Sequence, residues 1–146
     1  KKPSLIPQKG PILIIDDDID DTYFLSSAIK DLGTPNEIVS LANSFEVMDY
    51  LRTTSSQPFI IFCDVNMPRQ NGLELKKEID ADPALRKKSI PFVFYSTSAT
   101  PALVEKAYFE MTIQGFFEKG FNSIEIQATV KTILDYWSRC KHPNSK

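Results

Sequence analysis

Short continuous apolar runs alternate along this chain with longer stretches whose apolar residues recur at helical spacing. The apolar runs cover residues 12–15, 37–41, 59–63, 90–95 and 115–119. Continuous runs of this length are typical of strands that are buried on both faces, as in parallel sheets. The pattern therefore predicts five strand–helix units, with the strands beginning near residues 12, 38, 60, 91 and 115.

The first helix shows the pattern most clearly. Leu25, Ala28, Ile29 and Leu32 fall on one helical face, and Gly33 provides a C-terminal stop. Asp18 is placed to cap the start of this helix.

Capping residues and prolines place the other helix boundaries. The pair Asn43 and Glu46 predicts the start of the second helix, and the pair Asn122 and Glu125 predicts the start of the fifth. Asp82-Pro83 predicts the end of the third helix. Pro101 predicts the start of the fourth helix, with Ser98 or Thr100 as its cap. Alternation at this spacing predicts right-handed crossovers. We therefore expect an α/β fold with a five-stranded parallel sheet and helices on both faces.

Length and composition narrow the class of protein. A chain of 146 residues fits one domain, which we place at 11–137 between short tails at 1–10 and 138–146. The net charge of −2 does not favour binding to nucleic acid.

No apolar run is long enough to span a membrane, and residues 1–10 lack the apolar core of a secretory signal. Cys63 and Cys140 form no CxxC motif, so we expect reduced thiols in a cytoplasmic protein.

Polar residues follow the apolar runs where ligands bind in open parallel sheets. Asp16 and Asp17 come after the first run, Asp64 after the third, and Ser96 and Lys119 stand at the ends of the fourth and fifth. Carboxylates a few Å apart repel each other, and a divalent cation such as Mg²⁺ relieves that repulsion. Carboxylates, a cation, a lysine and a hydroxyl are together the groups needed to receive a phosphoryl group.

The acidic run 16–21 also matches parts of two other kinds of site. A calcium loop would use Asp16, Asp18 and Asp20, but Asp21 stands where such a loop needs Gly and Ser27 where it needs Glu. A dehalogenase-like phosphatase would use an Asp-x-Asp after the first strand, but the chain leaves no room for the usual cap domain.

The motifs resemble a known family. Ile14-Ile15-Asp16-Asp17, Asp64-Val65-Asn66-Met67-Pro68 with Gly72, Phe94-Tyr95-Ser96-Thr97 and Phe116-Phe117-Glu118-Lys119 look like the response-regulator receiver domain of bacterial two-component signalling. The resemblance covers roughly residues 11–137. It implies a flavodoxin-like (βα)5 fold of the kind seen in stand-alone, CheY-like regulators.

The resemblance also implies roles for individual residues. Asp64 would accept the phosphoryl group, Lys119 would pair with Asp64 and then with the phosphoryl oxygens, and Ser96 would act as the switch hydroxyl. Mg²⁺ would be bound by Asp17, Asp64 and the backbone carbonyl of Asn66, and through a water by Asp16. Phe116 would be a rotating aromatic residue on the switched face, which comprises the fourth helix, the fifth strand and the fifth helix.

The implied function is that of a signalling switch, which catalyses only its own phosphorylation and dephosphorylation. Its partners would be a histidine kinase or phosphotransfer protein and an unidentified downstream protein. The output would be protein docking, and homodimerisation through the switched face stays open. Because a receiver accounts for nearly the whole length, we expect no separate output domain.

Two positions depart from the family pattern. Gly120 stands where a proline often follows the lysine, which makes a cis bond unlikely there and could leave Lys119 less firmly held. Thr97 adds bulk beside the pocket, and we expect it to slow access of the phosphodonor or of water. These departures motivate an alternative function, a degenerate receiver that binds partners without phosphorylation.

Some residues are expected to be structural. Cys63 and Trp137 should pack in the core, and His142 should be an ordinary tail residue. The aromatic and methionine residues at 109, 111, 116, 117 and 121 are expected to be core, with an exposed protein-binding surface as the alternative.

Overall fold

The computed structural model describes residues 10–141 and contains the expected sheet. Its strands are β1 (Ile12–Ile15), β2 (Ile38–Leu41), β3 (Ile60–Cys63), β4 (Phe92–Ser96) and β5 (Gly115–Glu118). All neighbours pair in parallel, in the order β2-β1-β3-β4-β5. The strand order reverses between β1 and β3, so the cleft at their carboxyl ends is where this architecture binds ligands.

Residues 10–141 contain six helices, one more than the sequence predicts. They are α1 (Ile19–Asp31), α2 (Ser44–Thr53), α3 (Gly72–Ala81), α4 (Pro83–Lys88), α5 (Pro101–Glu110) and α6 (Ser123–Arg139). Within residues 10–141, none of these helices is both long enough and apolar enough to cross a membrane. His142 and most of both predicted tails lie outside the described residues.

Two hydrophobic clusters cover the two faces of the sheet. Ile12 and Ile14 pack with apolar residues of α1 and α6, such as Leu25 and Val130. Leu13, Ile15 and their neighbours pack instead with residues of α2, α3, α4 and α5. The predicted arrangement with helices on both faces is therefore confirmed. The predicted core positions of Cys63 and Trp137 are also confirmed, although Trp137 is only partly buried.

Several predicted helix boundaries are confirmed by their caps. The Asp18 side chain accepts a hydrogen bond from the Asp21 N–H at the start of α1, and Gly33 follows its end with a φ of 77°. Thr100, rather than Ser98, caps α5.

The predicted capping boxes are only half formed. Asn43 and Asn122 accept the expected bonds, but the carboxylates of Glu46 and Glu125 reach the N–H groups of Ala42 and Phe121 instead of the capping residues.

The extra helix α4 arises from a residue with two roles. Asp82 ends α3, and its side chain also accepts hydrogen bonds from the N–H groups of Ala84 and Leu85. Pro83 fits the first turn of a new helix because it has no N–H to satisfy there. The sequence pattern Asp82-Pro83 therefore marks both an end and a start, of which only the end was predicted.

The strand and core predictions need two corrections. Strand β4 covers Phe92–Ser96 and not the whole run 90–95, because Pro91 has no N–H to donate to a ladder. Phe109 and Phe121 are 87% and 89% exposed, so the prediction that they belong to the core is wrong. Phe109 follows the buried Ala107 by two positions, which places it on the opposite side of α5.

Candidate functional site

The carboxyl ends of the central strands bring the predicted acidic residues together. Asp16 follows β1 and Asp64 follows β3, and the Asp64 N–H donates to the Ile15 carbonyl at 2.9 Å. Asp16, Asp17 and Asp64 can each offer an oxygen such that all three oxygens lie within 4.8 Å of one another. Asp16 and Asp64 are buried, whereas Asp17 is exposed at the mouth of the cleft.

Lys119 enters this cluster from β5. Its backbone N–H donates to the Ser96 carbonyl at 2.9 Å, which fixes the lysine beside the end of β4. The Lys119 ammonium lies 2.7 Å from Asp16 and 3.5 Å from Asp64. A third carboxylate, that of Asp21 on the first turn of α1, lies 2.8 Å from the same nitrogen.

Burial and charge act in opposite directions on these groups. Burial raises the pKa of Asp16, although hydrogen bonds from Lys119 and from the Asp18 N–H oppose the shift. Burial alone would lower the pKa of Lys119, but its hydrogen bonds to Asp16 and Asp21 raise the pKa above its usual value. The lysine is therefore held as a cation between the carboxylates.

One side-chain oxygen of Asp64 lacks a hydrogen-bond partner among the described residues. Its Oδ1 is buried and has no hydrogen-bond partner among residues 10–141. An unpaired buried carboxylate oxygen is costly, and such atoms point to a ligand or a reaction. The oxygen belongs to the residue predicted to accept the phosphoryl group.

Gly72 allows the Asp64 segment to pack closely. A Cβ atom at Gly72 would lie only 2.2 Å from the Asp64 carbonyl oxygen, which is far inside van der Waals contact. The Gly72 N–H also donates to the Val65 carbonyl at 2.8 Å. The start of α3 therefore rests directly against the end of β3, and only glycine fits there.

An open, polar pocket lies above Asp64. Asp17, Asn66, Thr97 and Lys119 are among the residues that line it. The Asn66 side chain is exposed and donates a hydrogen bond to the Ser98 hydroxyl. Thr97 is exposed to this pocket, as expected from its position after Ser96.

Ser96 is not among the residues that line this pocket. The residue is fully buried, and its hydroxyl accepts a hydrogen bond from the Ser98 N–H at 3.2 Å. Phe116 is half-buried and packs against Phe94, with 5.5 Å between ring centroids. Its N–H donates to the Tyr108 hydroxyl at 3.1 Å.

Gly120 is explained by packing and not by an unusual backbone angle. A Cβ atom there would lie 2.9 Å from the Glu125 Cβ and 3.0 Å from the Ile126 N, so the glycine lets α6 approach the end of β5. Its φ is not positive, and the described residues contain no cis peptide bond, as expected.

Sequence reasoning missed two participants in this region. The sequence shows Asp21 only as part of an acidic run and Ser98 only as a candidate cap. The predicted cap at Asp18 could have indicated Asp21, because a helix that starts at Ile19 places Asp21 on its first turn beside the strand ends. No sequence signal indicates the Ser98 contacts, which depend on loop geometry.

Comparison with known proteins agrees with this site. The model of the response regulator receiver domain family matches residues 12–131, so the chain belongs to that family. Response regulator Rcp1 of Synechocystis sp. is 26% identical over 86% of this chain and 87% of its own length.

Solved structures of response regulators have the same fold as this chain. The phosphorylated cyanobacterial phytochrome response regulator RcpA has a TM-score of 0.82 and 28% identity, over 92% of this chain and 99% of its own. The Mn²⁺-bound form of Rcp1 has a TM-score of 0.77 and 25% identity, over 90% and 96% of the two chains. Receiver domains are signalling switches of two-component systems, and they interact with histidine kinases or phosphotransfer proteins.

Proposed function

We propose that this receiver domain is switched by phosphorylation of Asp64, with a phosphohistidine of a kinase or phosphotransfer protein as the donor. The observation that carries the proposal is the buried, unpartnered Oδ1 of Asp64 beside an open polar pocket. This oxygen is ready to form a bond because no protein donor among the described residues occupies its lone pairs. Lys119 lies close enough to move onto the added phosphoryl oxygens.

The donor set fits a magnesium ion. Three carboxylates approach one another closely, and one of them carries an oxygen without a partner. Asp17, Asp64 and the Asn66 carbonyl would bind Mg²⁺ directly, and Asp16, which already pairs with Lys119, would act through a water. The bound ion would supply positive charge to the transferring phosphoryl oxygens.

The proposed transfer is a displacement at phosphorus. The Asp64 carboxylate forms an O–P bond, the N–P bond of the donor breaks, and its electron pair goes to the imidazole nitrogen, which takes a proton from solvent. The product is an acyl phosphate. Lys119 neutralises part of the charge, because a phosphoryl group carries about −1.5 to −2 near neutral pH.

The new charge would change the position of Ser96. Its hydroxyl oxygen accepts the Ser98 N–H at 3.2 Å, which is a weak bond, and the Ser96 O–H would be donated to a phosphoryl oxygen once that bond breaks. We infer that movement of Ser96 and Phe116 alters the face formed by α5, β5 and α6. A downstream protein, or a second copy of this chain, would then dock on that face as the output.

Phosphate uptake tests the proposal. Incubation with acetyl phosphate and Mg²⁺ should add one phosphate, as measured by intact mass, and EDTA should prevent the addition. Asp64→Asn should abolish uptake, because an amide oxygen is a poor nucleophile. Asp49→Asn removes an exposed carboxylate from α2 and should leave uptake unchanged.

The same assay separates the competing functions. A degenerate receiver predicts no uptake in any variant and no Mg²⁺ binding. A phosphatase predicts steady turnover of a phosphomonoester that Asp16→Asn removes. Labelling that persists in Asp64→Asn would disprove the assignment of the acceptor.

A further inference from the structure

Asp21 makes a contact with Lys119 that the proposed function does not use. Its Oδ2 lies 2.8 Å from the Lys119 ammonium, while the nearest oxygen of Asp64 lies at 3.5 Å. An ammonium has three N–H donors, and charge-assisted bonds to carboxylates are strongest near 2.7–2.9 Å. Two of the donors therefore make short bonds to Asp16 and Asp21, and Asp64 receives the weakest contact.

A closed ring of contacts holds Asp21 in this place. Asp16 Oδ1 accepts the Asp18 N–H at 2.9 Å, and Asp18 Oδ1 accepts the Asp21 N–H at 3.0 Å. The Lys119 ammonium then joins Asp21 Oδ2 back to Asp16 Oδ2. The cap that starts α1 therefore also fixes the backbone of Asp21 beside the lysine.

The burial of the two carboxylates differs. The Asp64 side chain is 8% exposed and the Asp21 side chain 39% exposed, so Asp21 holds the lysine from the solvent side. A carboxylate at that place competes with any anion bound on Asp64 for the same ammonium.

We propose that Asp21 is a positioning residue that holds the Lys119 ammonium away from Asp64 and thereby limits the rate at which Asp64 takes up a phosphoryl group. The inference rests on the proposed function, because it assigns Lys119 to the phosphoryl oxygens. Loss of the Asp21 charge lets the lysine move fully onto Asp64 and then onto the transferring group. The residue acts through Lys119 and does not touch the reacting atoms.

The first test is structural and does not require phosphorylation. In a crystal structure of Asp21→Asn grown without divalent metal, the distance from Lys119 Nζ to the nearest Asp64 oxygen should shorten from 3.5 Å to about 2.8 Å. In Asp20→Asn the distance should stay as in the parent. Asp20 is the matched control, because it lines the same pocket from the same turn, whereas the ion pairs of Lys119 within residues 10–141 are with Asp16, Asp21 and Asp64. An unchanged distance in Asp21→Asn would overturn the proposal.

The second test is kinetic. At saturating Mg²⁺, the rate of phosphate uptake from acetyl phosphate should rise about three- to five-fold in Asp21→Asn, the effect expected for loss of a partly exposed ion pair. Asp20→Asn should have a smaller effect, and Asp21→Glu should restore the parent rate. In a Lys119→Gln background, Asp21→Asn should have no further effect, which separates coupling through the lysine from a change in fold.

The outcomes distinguish the two proposals. If the parent takes up no phosphate, the proposed function fails, and the crystal structures still decide the position of Lys119. If the parent takes up phosphate and Asp21→Asn behaves like Asp20→Asn, the role of Asp21 is wrong while phosphorylation of Asp64 stands.

Discussion

Lys119 and its carboxylate neighbours determine the electrostatics of the site at the scale of single residues. Asp16, Asp64 and Lys119 are all buried, so two negative charges share one positive charge in a poorly solvated place. Burial of charge is costly unless it is paired, and the lysine provides the pairing. The remaining negative charge, with the exposed Asp17, gives the cleft its expected affinity for a divalent cation.

Thr97 is the residue whose bulk should control access to Asp64. Its exposed side chain lines the pocket, while the neighbouring Ser96 is buried. In Thr97→Ala we expect both faster phosphorylation by acetyl phosphate and a phosphorylated form whose lifetime is shorter than the parent's. Decay of the intact-mass signal after removal of the donor measures the lifetime, and Thr53→Ala on α2 is the control. A lifetime equal to or longer than the parent's would contradict this role.

At the scale of elements, the start of α3 determines the position of the Asp64 segment. Asn71 and Glu74 form a full capping box there, and Gly72 lies against the Asp64 carbonyl. The helix therefore begins at a point set by two features, a polar cap and a close backbone contact. Its body then buries Leu75 and Ile79 under the sheet.

Gly72→Ala should disturb both stability and phosphorylation. The added Cβ would overlap the Asp64 carbonyl, so α3 or the β3 end must move, at a cost of about 1–3 kcal/mol in the free energy of unfolding. Urea unfolding measures that loss, and phosphate uptake should fall with it. Gly33→Asn is the control, because asparagine tolerates the left-handed conformation and nothing lies within 4 Å of the added atom. Full stability and full uptake in Gly72→Ala would contradict the close packing.

At the scale of the whole molecule, the site joins distant parts of the chain. Lys119 pairs with Asp16 across 103 positions and with Asp64 across 55. These contacts form only when the sheet is complete, so the charge state of Lys119 is coupled to folding.

Stability should therefore depend on the protonation of Lys119. Its pKa in the folded protein is raised above the usual value of 10.5. The stabilisation is thus fully present below pH 10.5 and is lost as pH rises through the folded pKa. With EDTA present, the free energy of unfolding should fall as the pH rises above 10.5, in both the parent and Lys119→Gln. The fall should be larger in the parent by roughly 1–3 kcal/mol. Lys131→Gln removes an exposed lysine and should behave as the parent does. Equal pH dependence in the parent and Lys119→Gln would contradict the coupling.

The sequence predicted most of the fold, because its signals are local. The apolar run 12–15 indicated a buried parallel strand, and Asp18 and Gly33 marked the ends of α1. Two of the wrong predictions, the missing helix α4 and the core position of Phe109, each have a physical cause. Asp82 caps two helices at once, and Phe109 lies on the free side of α5, which depends on how that helix packs.

The groups at the carboxyl end of the sheet could be predicted from the sequence, since each follows an apolar run whose period and length specify a strand. The sequence therefore predicts that Asp16, Asp64 and Lys119 lie close together. The way in which these groups share their hydrogen bonds depends on the tertiary structure. Side-chain direction depends on neighbours distant in sequence, so the ion pair between Asp21 and Lys119, which are 98 positions apart, follows from the packing of α1 against the strand ends.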